Sequence, residues 1–182
     1  CYVFDADRVV ADLYRAGEPG YRAIVGAFGR DVLAVNGEID REVLSARALS
    51  TPEGAAMLNA LIHPLVIARE SEILRELESD PRDRIAVVEA TLLLESGGRN
   101  RYDRIVVVDV DPDLQIRRGV ERGMKREEVV RRMERQMSRG ERLRLADYII
   151  RNDGDRKQTE SEVDAVLESL RRDLRTLSQP NR

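Results

Sequence analysis

Two carboxylates, those of Asp5 and Asp7, lie one residue apart at the end of the apolar run YVF near the start of the chain. An aspartate at the end of a strand can orient or deprotonate a hydroxyl group, and it can help to hold Mg²⁺ through the water shell of the metal. It can also cap the helix that follows, and Asp5 fits that role equally well. Two carboxylates at this place therefore indicate either part of a charged site at the strand end or a strand end followed by a capped helix.

Acidic and amide side chains also follow the other apolar runs of the chain: Glu95, Asp109, Asp111, Asn152 and Asp153. In an open parallel sheet, ligands bind in the crevice at the carboxyl ends of the strands. Acids are common in loops after strands, so no single one of these side chains indicates a site. Their repetition after every candidate strand predicts a charged crevice.

Residues 115–144 are strongly basic, with eleven Lys and Arg residues against five Asp and Glu residues. This segment carries a net charge of +6, whereas the whole 182-residue chain carries −3 and the remainder therefore −9. A net acidic chain is a poor general nucleic-acid binder. A local basic segment within it favours a small polyanionic ligand over a long polymer.

Four arginines of this segment are spaced i, i+3, i+7 and i+10, which predicts one shared helix face: Arg132, Arg135, Arg139 and Arg142. A guanidinium group binds two phosphate oxygens at once, and Arg118 and Arg122, one turn apart on the preceding helix, could bind the same anion. With Gly123 and Gly140 as flexible points, the pattern predicts a mobile lid over phosphates. The alternative is a solvated face on which glutamates of the same helices neutralise the arginines.

Four short apolar runs predict the strands that position these residues: YVF, RIAVVEATLLLE, RIVVVDVD and ADYIIRNDG. The last three are rich in β-branched residues and do not alternate with polar residues. This pattern is typical of parallel strands with both faces buried by helices. Strands that alternate with helical segments predict an α/β fold with a doubly wound parallel sheet.

The helical segments carry recognisable boundaries. Residues 9–29 have a helical pattern that the turn at residues 17–20 divides, and Asp40 is placed to cap a helix. Ser50 or Thr51 is predicted to cap a long helix over residues 50–78, which His63–Pro64 should kink or interrupt. One long amphipathic helix is predicted between the last two strands, and another over about residues 158–177.

Composition excludes several classes of protein. Aromatic residues make up 4% of the chain and there is no Trp, so there is little material for stacking on nucleic-acid bases. No run of eighteen apolar residues predicts a membrane span. The single cysteine, Cys1, cannot form an internal disulfide, which fits a reducing cytoplasm. We therefore expect a cytoplasmic protein with no nucleic-acid or membrane partner.

Several motifs, taken in order, resemble the dephospho-coenzyme A kinase family over residues 3–155: DADRVVADL, NGEIDREVL, LNALIHPLV, VVEATLLLES, RIVVVDVDPDLQIRRGVERGM and RRMERQMSRGERLRLADYIIRNDGD. No single motif is specific to this family, but their combination in this order is. The resemblance implies a P-loop kinase α/β fold, with a parallel sheet sandwiched by helices. It implies one kinase domain with its core at residues 1–11, 84–114 and 146–182, a helical acceptor-binding portion at about 12–80 and a lid at about 115–145.

The resemblance also implies a reaction, the ATP-dependent phosphorylation of the ribose 3′-hydroxyl of dephospho-coenzyme A, with Mg²⁺ accompanying ATP. Asp7 matches the catalytic base, and it would contact Mg²⁺ only through water. Arg139 matches an arginine near the phosphates, where it would neutralise charge on the transferred group. A monomer is the expected oligomeric state.

The remaining matches concern the two substrates. Asp5, His63 and Glu95 match positions on the acceptor side, His63 in a structural or substrate-contacting role. Arg122 and Asn152 match positions that bind ATP. In the motif that ends at Glu95, the family usually has proline where this chain has Thr91, so the rigidity of that loop is an open question.

A phosphate-binding loop of the form G-x-x-x-x-G-K-S/T is expected in this fold, and none occurs in the 182 residues. In the family, this loop and its strand lie roughly thirty residues upstream of the DAD motif. We therefore expect a chain that lacks the first strand and the P-loop, and that is weakly active or inactive by itself. Two alternatives stay open: a non-catalytic nucleotide- or coenzyme A-binding remnant, and another small-molecule nucleotide kinase.

Overall fold

The computed structural model describes residues 1–79 and 85–177, apart from the side chain at position 177. The chain divides into two compact units, Cys1–Thr91 and Leu92–Arg182. Each unit contains one pair of parallel strands with helices between them.

The first unit begins with strand β1 (Tyr2–Asp5), which pairs in parallel with β2 (Ala86–Glu89). Four helices connect these two strands: α1 (Ala6–Leu13), α2 (Pro19–Phe28), α3 (Arg41–Ala48) and α4 (Pro52–Glu78). In the register of the pair, Phe4 lies opposite Val88 and Asp5 lies opposite Glu89. The predicted parallel strand–helix–strand arrangement is therefore confirmed in this unit.

Side-chain caps fix where these helices begin. The carboxylate of Asp40 accepts hydrogen bonds from the backbone N–H groups of Glu42 and Val43, both at 3.0 Å, at the start of α3. The hydroxyl of Thr51 accepts from Gly54 N at 3.1 Å at the start of α4. Both predicted caps are thus confirmed, because they depend only on local backbone donors that a short polar side chain can reach.

The predicted interruption at His63–Pro64 is wrong. Helix α4 runs without a break from Pro52 to Glu78 and contains Pro64 in its interior. Proline removes one backbone donor and crowds the preceding turn, which costs about 3 kcal/mol in an isolated helix. Ile62 and Val66, on either side of it, are buried in the hydrophobic core, and this packing offsets that cost.

The core of the first unit joins strand β1 to the helices. Its buried members are Phe4, Ile24, Phe28, Val32, Ile39, Leu44, Ala48, Ile62 and Val66. Phe4 is the only one of them that comes from a strand, and the two acids follow it directly along the chain. The position of Asp5 and Asp7 therefore depends on how Phe4 packs among the helices.

Gly20 on α2 marks a close approach between two segments, and we expect Gly20→Ala to destabilise the protein by about 1–3 kcal/mol. A Cβ atom at this position would lie 2.7 Å from the backbone oxygen of Leu13, which cannot move independently of α1. Gly26 on the same helix is the matched control, since nothing lies within 4 Å of a Cβ there. Gly26→Ala should stabilise the helix by about 0.5–1 kcal/mol, and urea denaturation of both variants checks the contrast.

The second unit contains strand β3 (Val106–Asp109), paired in parallel with β4 (Tyr148–Arg151). Its helices are α5 (Pro112–Glu121), α6 (Arg126–Glu134), α7 (Arg139–Leu145) and α8 (Arg156–Leu177). The prediction of one long helix between the two strands is wrong, because three short helices occupy that segment. The helix predicted at about residues 158–177 is confirmed and begins two residues earlier.

Two local signals explain why the segment between β3 and β4 divides. Gly123 has a φ of +90°, a conformation that ends α5 and that glycine adopts without strain. Ser138 starts α7, where its hydroxyl accepts from Glu141 N at 3.3 Å and donates to the Glu141 carboxylate. Ser-x-x-Glu is a capping signature, so the sequence did carry the signal for a new helix at this point.

The prediction that both faces of the last three strands are buried is wrong for the part of the chain that the structure describes. Val87 of β2 is 39% exposed and Val108 of β3 is 59% exposed. Among the described residues each sheet has two strands, so every strand residue has a strand neighbour on one side only. The inward residues Phe4, Val107 and Ile150 are buried, as expected.

No helix within residues 1–79 and 85–177 combines the length and the apolar character needed to cross a membrane. The same residues contain no group of three or more His, Cys, Asp or Glu side chains arranged to hold a metal ion.

Candidate active site

Asp5 and Asp7 have different surroundings although they are neighbours in sequence. Asp5 ends β1, and its Oδ1 accepts a hydrogen bond from Arg8 N at 2.9 Å, so it is the cap of α1. Asp7 lies in the first turn of α1 and is exposed. Its Oδ2 accepts a hydrogen bond from the hydroxyl of Thr91 at 2.9 Å. The capping role that the sequence allowed for Asp5 is therefore present, and the carboxylate of Asp7 is bound by a side chain from a distant part of the chain.

The parallel pairing of β1 and β2 explains why Asp7 and Thr91 meet. Asp5 and Glu89 are opposite each other at the ends of the two strands, and the chain leaves both strands at the same edge. Asp7 lies two residues after the end of β1, and Thr91 lies two residues after the end of β2. The structure thus places Asp7 at the carboxyl edge of a parallel sheet, where ligands bind in folds of this class.

His63 lies on an exposed side of α4. No hydrogen bond or ion pair among the described residues of the first unit joins it to Asp5 or Asp7. Its assignment to acceptor binding therefore stays a prediction.

Asp109 and Arg139 form a bidentate ion pair in the second unit. Arg139 is the first residue of α7, and it donates from Nε to Oδ1 and from an Nη atom to Oδ2 of Asp109, both at 2.7 Å. The side chain of Asp109 is 8% exposed and that of Arg139 is 42% exposed. The hydrogen bonds from Arg139 lower the pKa of Asp109 and outweigh the opposing effect of burial. The same bonds raise the pKa of Arg139, which stays charged.

Asp109 also fixes the loop that contains Asn152. The backbone N–H of Asn152, the residue after β4, donates to Asp109 O at 2.8 Å, directly after the last paired residues of β3 and β4. Arg118 then clamps the loop, donating to Asn152 O at 2.6 Å and to Gly154 O at 3.2 Å. Asp109 therefore holds both Arg139, which was predicted to act on the transferred phosphoryl group, and Asn152, which was predicted to bind ATP. Arg118, expected to bind an anion, instead binds backbone carbonyls.

The other acids at this edge have local roles. Asp111 caps α5 by accepting from Asp113 N at 3.0 Å and Leu114 N at 3.3 Å. The backbone N–H of Asp111 itself donates to Asp153 Oδ1 at 2.6 Å. Asp111 and Asp153 therefore hold the strand-end loops of the second unit in place, and the predicted charged crevice stays a prediction.

Glu95 and Arg122 also bond within the second unit. The carboxylate of Glu95 accepts from the backbone N–H of Met137, immediately before the cap of α7. Arg122 is the C-cap of α5, and its Nε donates to Arg118 O at 3.1 Å. Glu95 therefore ties the turn after residue 91 to the start of α7, and the roles predicted for both residues in binding substrate or ATP stay predictions.

The expectation that four arginines share one helix face is wrong, because α6 ends at Glu134 and a new helix begins after Ser138. Arg132 pairs with Glu128 one turn away at 2.7 Å, as the solvated-face alternative predicted. Arg142 donates to Gln136 Oε1 and to Met137 O, both at 2.9 Å. Arg139 differs from both in that it binds a buried carboxylate at a strand end.

Comparison with known proteins shows which family this chain belongs to. The model of the family described as dephospho-CoA kinase matches residues 1–158. This chain belongs to the dephospho-CoA kinase family. A dephospho-CoA kinase of Streptomyces avermitilis is 39% identical over 170 residues, which cover 92% of this chain and 81% of that protein. One of Aquifex aeolicus is 34% identical over 172 residues, 94% of this chain and 86% of that protein.

Two solved structures share the fold of this chain. The crystal structure of TT1252 from Thermus thermophilus superposes with a TM-score of 0.74 at 28% identity, and covers 93% of this chain and 84% of that one. A dephospho-CoA kinase from Campylobacter jejuni shares the fold, with a TM-score of 0.65 over the same shares of both chains. The predicted P-loop kinase-like α/β fold and its parallel strands are thereby confirmed. The family match confirms the assignment to a kinase enzyme.

Proposed function

We propose that the gene product that carries these residues transfers the γ-phosphoryl group of ATP to the ribose 3′-hydroxyl of dephospho-coenzyme A, the final step of coenzyme A synthesis. A bond forms between the ribose oxygen and the γ-phosphorus. The bond from that phosphorus to the β–γ bridging oxygen breaks, and ADP leaves. The hydroxyl proton passes to a carboxylate, which we assign to Asp7.

The position of Asp7 carries this proposal: in a chain of this family, it is an exposed carboxylate at the carboxyl edge of a parallel strand pair. Asp5 has a structural role as the cap of α1, and the resemblance matches the base to Asp7 and not to Asp5. A base must reach the hydroxyl proton directly, and Asp7 has an accessible oxygen besides the one that Thr91 binds.

The residues present suit Mg²⁺ delivered with ATP better than a metal bound by the protein alone. Mg²⁺ is commonly held by one or two carboxylates, several waters and substrate phosphates, and Asp7 would contact it through water. When bound with ATP, the ion neutralises charge on the phosphate oxygens. Arg139 contributes a fixed positive charge, and its partly exposed guanidinium has donors besides the two that Asp109 uses.

The test is an assay of the purified gene product with Mg²⁺, ATP and dephospho-coenzyme A, in which coenzyme A and ADP are quantified by mass spectrometry. We expect equimolar coenzyme A and ADP. The 3′-deoxy analogue of dephospho-coenzyme A is the matched control, because it lacks only the attacking hydroxyl and should give no phosphorylated product. Preferred phosphorylation of AMP or adenosine would instead support another small-molecule nucleotide kinase.

A non-catalytic coenzyme A-binding role is the second candidate, because the 182 residues contain no G-x-x-x-x-G-K-S/T loop. Calorimetric titration of the 182-residue polypeptide with dephospho-coenzyme A and with ATP, separately, addresses it. We expect this polypeptide to bind the acceptor and to turn over weakly or not at all. A gene product that also binds the acceptor without any turnover would favour the second candidate.

A further inference from the structure

We infer that Thr91 is a positioning residue for the carboxylate of Asp7, an inference that rests on the proposed role of Asp7 as the base. The hydroxyl of Thr91 donates to Asp7 Oδ2 at 2.9 Å. The two residues are separated by 84 positions in sequence. A single side-chain bond of this kind joins the segment after β2 to the first turn of α1, at the edge where the reaction is proposed.

The division of roles between the two aspartates favours a functional explanation of this bond. A carboxylate in the first turn of a helix ordinarily serves as a cap or interacts with the free backbone N–H groups there. At α1 the capping bond is made by Asp5, which accepts from Arg8 N. Asp7 instead accepts from a side-chain hydroxyl at another strand end, and this bond holds a carboxylate that does not cap the helix.

The chemistry of a general base explains what such a bond would do. An aspartate on a helix surface samples several side-chain rotamers, whereas proton transfer needs one oxygen at a fixed place. A donor bound to Oδ2 fixes the plane of the carboxylate and directs Oδ1 to the attacking hydroxyl. Threonine is suited to this task because its branched side chain has few χ1 rotamers.

Only a side chain with a hydrogen-bond donor can make this bond, and the hydroxyl at position 91 supplies one. Both residues are exposed, so removing the bond should cost little folding stability and should act on the chemical step.

The experiment is steady-state kinetics of the complete gene product with Thr91→Val, which has nearly the same shape and lacks the hydroxyl. We expect kcat to fall about tenfold, as is usual for the loss of a hydrogen bond to a charged group, with the KM values for ATP and dephospho-coenzyme A unchanged. Thr91→Ser, which keeps the hydroxyl, should restore most of the turnover. Thr176→Val is the matched control, since the Thr176 hydroxyl bonds to Arg172 O of its own helix, away from β1 and β2 in sequence.

A double-mutant cycle separates this inference from the proposed function. In an Asp7→Asn background, Thr91→Val should have little further effect, because the group that it positions no longer accepts a proton. Wild-type kcat in Thr91→Val, together with a strongly impaired Asp7→Asn, overturns the positioning role and leaves the proposed base intact. Equal losses in the Val and Ser variants would also overturn it, since they would show that shape and not the hydroxyl matters.

Discussion

Asp7→Asn is expected to lower kcat for dephospho-coenzyme A phosphorylation by at least about a hundredfold, the usual scale for a positioned general base. Asparagine has the same shape as aspartate, and its Oδ1 can still accept the hydroxyl of Thr91, so the local hydrogen bond survives. It cannot accept a proton from the sugar hydroxyl at neutral pH. The variant therefore removes the proposed chemistry and little else.

The stability of this variant should be unchanged, because Asp7 is exposed and does not cap α1. Thermal unfolding of wild type and variant checks this point alongside the kinetics. Asp12→Asn is the matched control on the same helix: it removes a surface ion pair with Arg15, whose charged atoms are 2.8 Å apart, and should leave kcat near wild type. Turnover within a few-fold of wild type in Asp7→Asn would remove Asp7 from the role of base.

The features that the sequence predicted well are those that depend on a few neighbouring residues. Asp40 and Thr51 are recognisable as caps because their partners lie two or three residues further along the chain. The parallel strands were predictable from short β-branched runs separated by helical segments. The cap at Ser138 is a signal of the same local kind. The apolar and basic spacing around it nevertheless predicts a continuous helix.

The contacts of the candidate site were beyond sequence reasoning for a different reason. Asp109 and Arg139 are 30 residues apart and meet only because α7 begins beside the end of β3. Thr91 meets Asp7 only because two strands pair in one particular register. A pattern of charges along the sequence gives the candidates, but it does not say which carboxylate receives which donor.

Pro64 shows the opposite case, in which a local rule was overridden by tertiary packing. The sequence contains a residue that breaks isolated helices, and α4 nevertheless continues through it with buried residues on both sides. Local propensity is worth a few kcal/mol at most, and burial of several core side chains exceeds it. In α4, the burial of Ile62 and Val66 therefore outweighs the interruption that Pro64 alone predicts.

Arg139→Ala is expected to lower kcat by about a hundredfold or more, the scale for removing one preorganised donor from a developing charge. The structure adds a second consequence, because this variant leaves the 8% exposed carboxylate of Asp109 without its bidentate partner. Without the two hydrogen bonds from Arg139, the cost of burying the Asp109 carboxylate is no longer compensated. The Tm should therefore fall as well. A loss of activity in Arg139→Ala alone would therefore mix catalysis with folding.

The double variant Arg139→Ala/Asp109→Asn separates these two effects. Asparagine is neutral, so it removes the unpaired charge and should recover most of the lost Tm, while kcat should remain low because no guanidinium faces the phosphates. The control is the pair Arg104 and Asp173, which are bonded at 2.6 Å at the amino end of β3, whereas Asp109 lies at its carboxyl end. Arg104→Ala/Asp173→Asn removes a comparable ion pair and should leave kcat unchanged. If activity returns together with stability in the Arg139→Ala/Asp109→Asn variant, Arg139 supports the fold of the second unit and has no direct part in phosphoryl transfer.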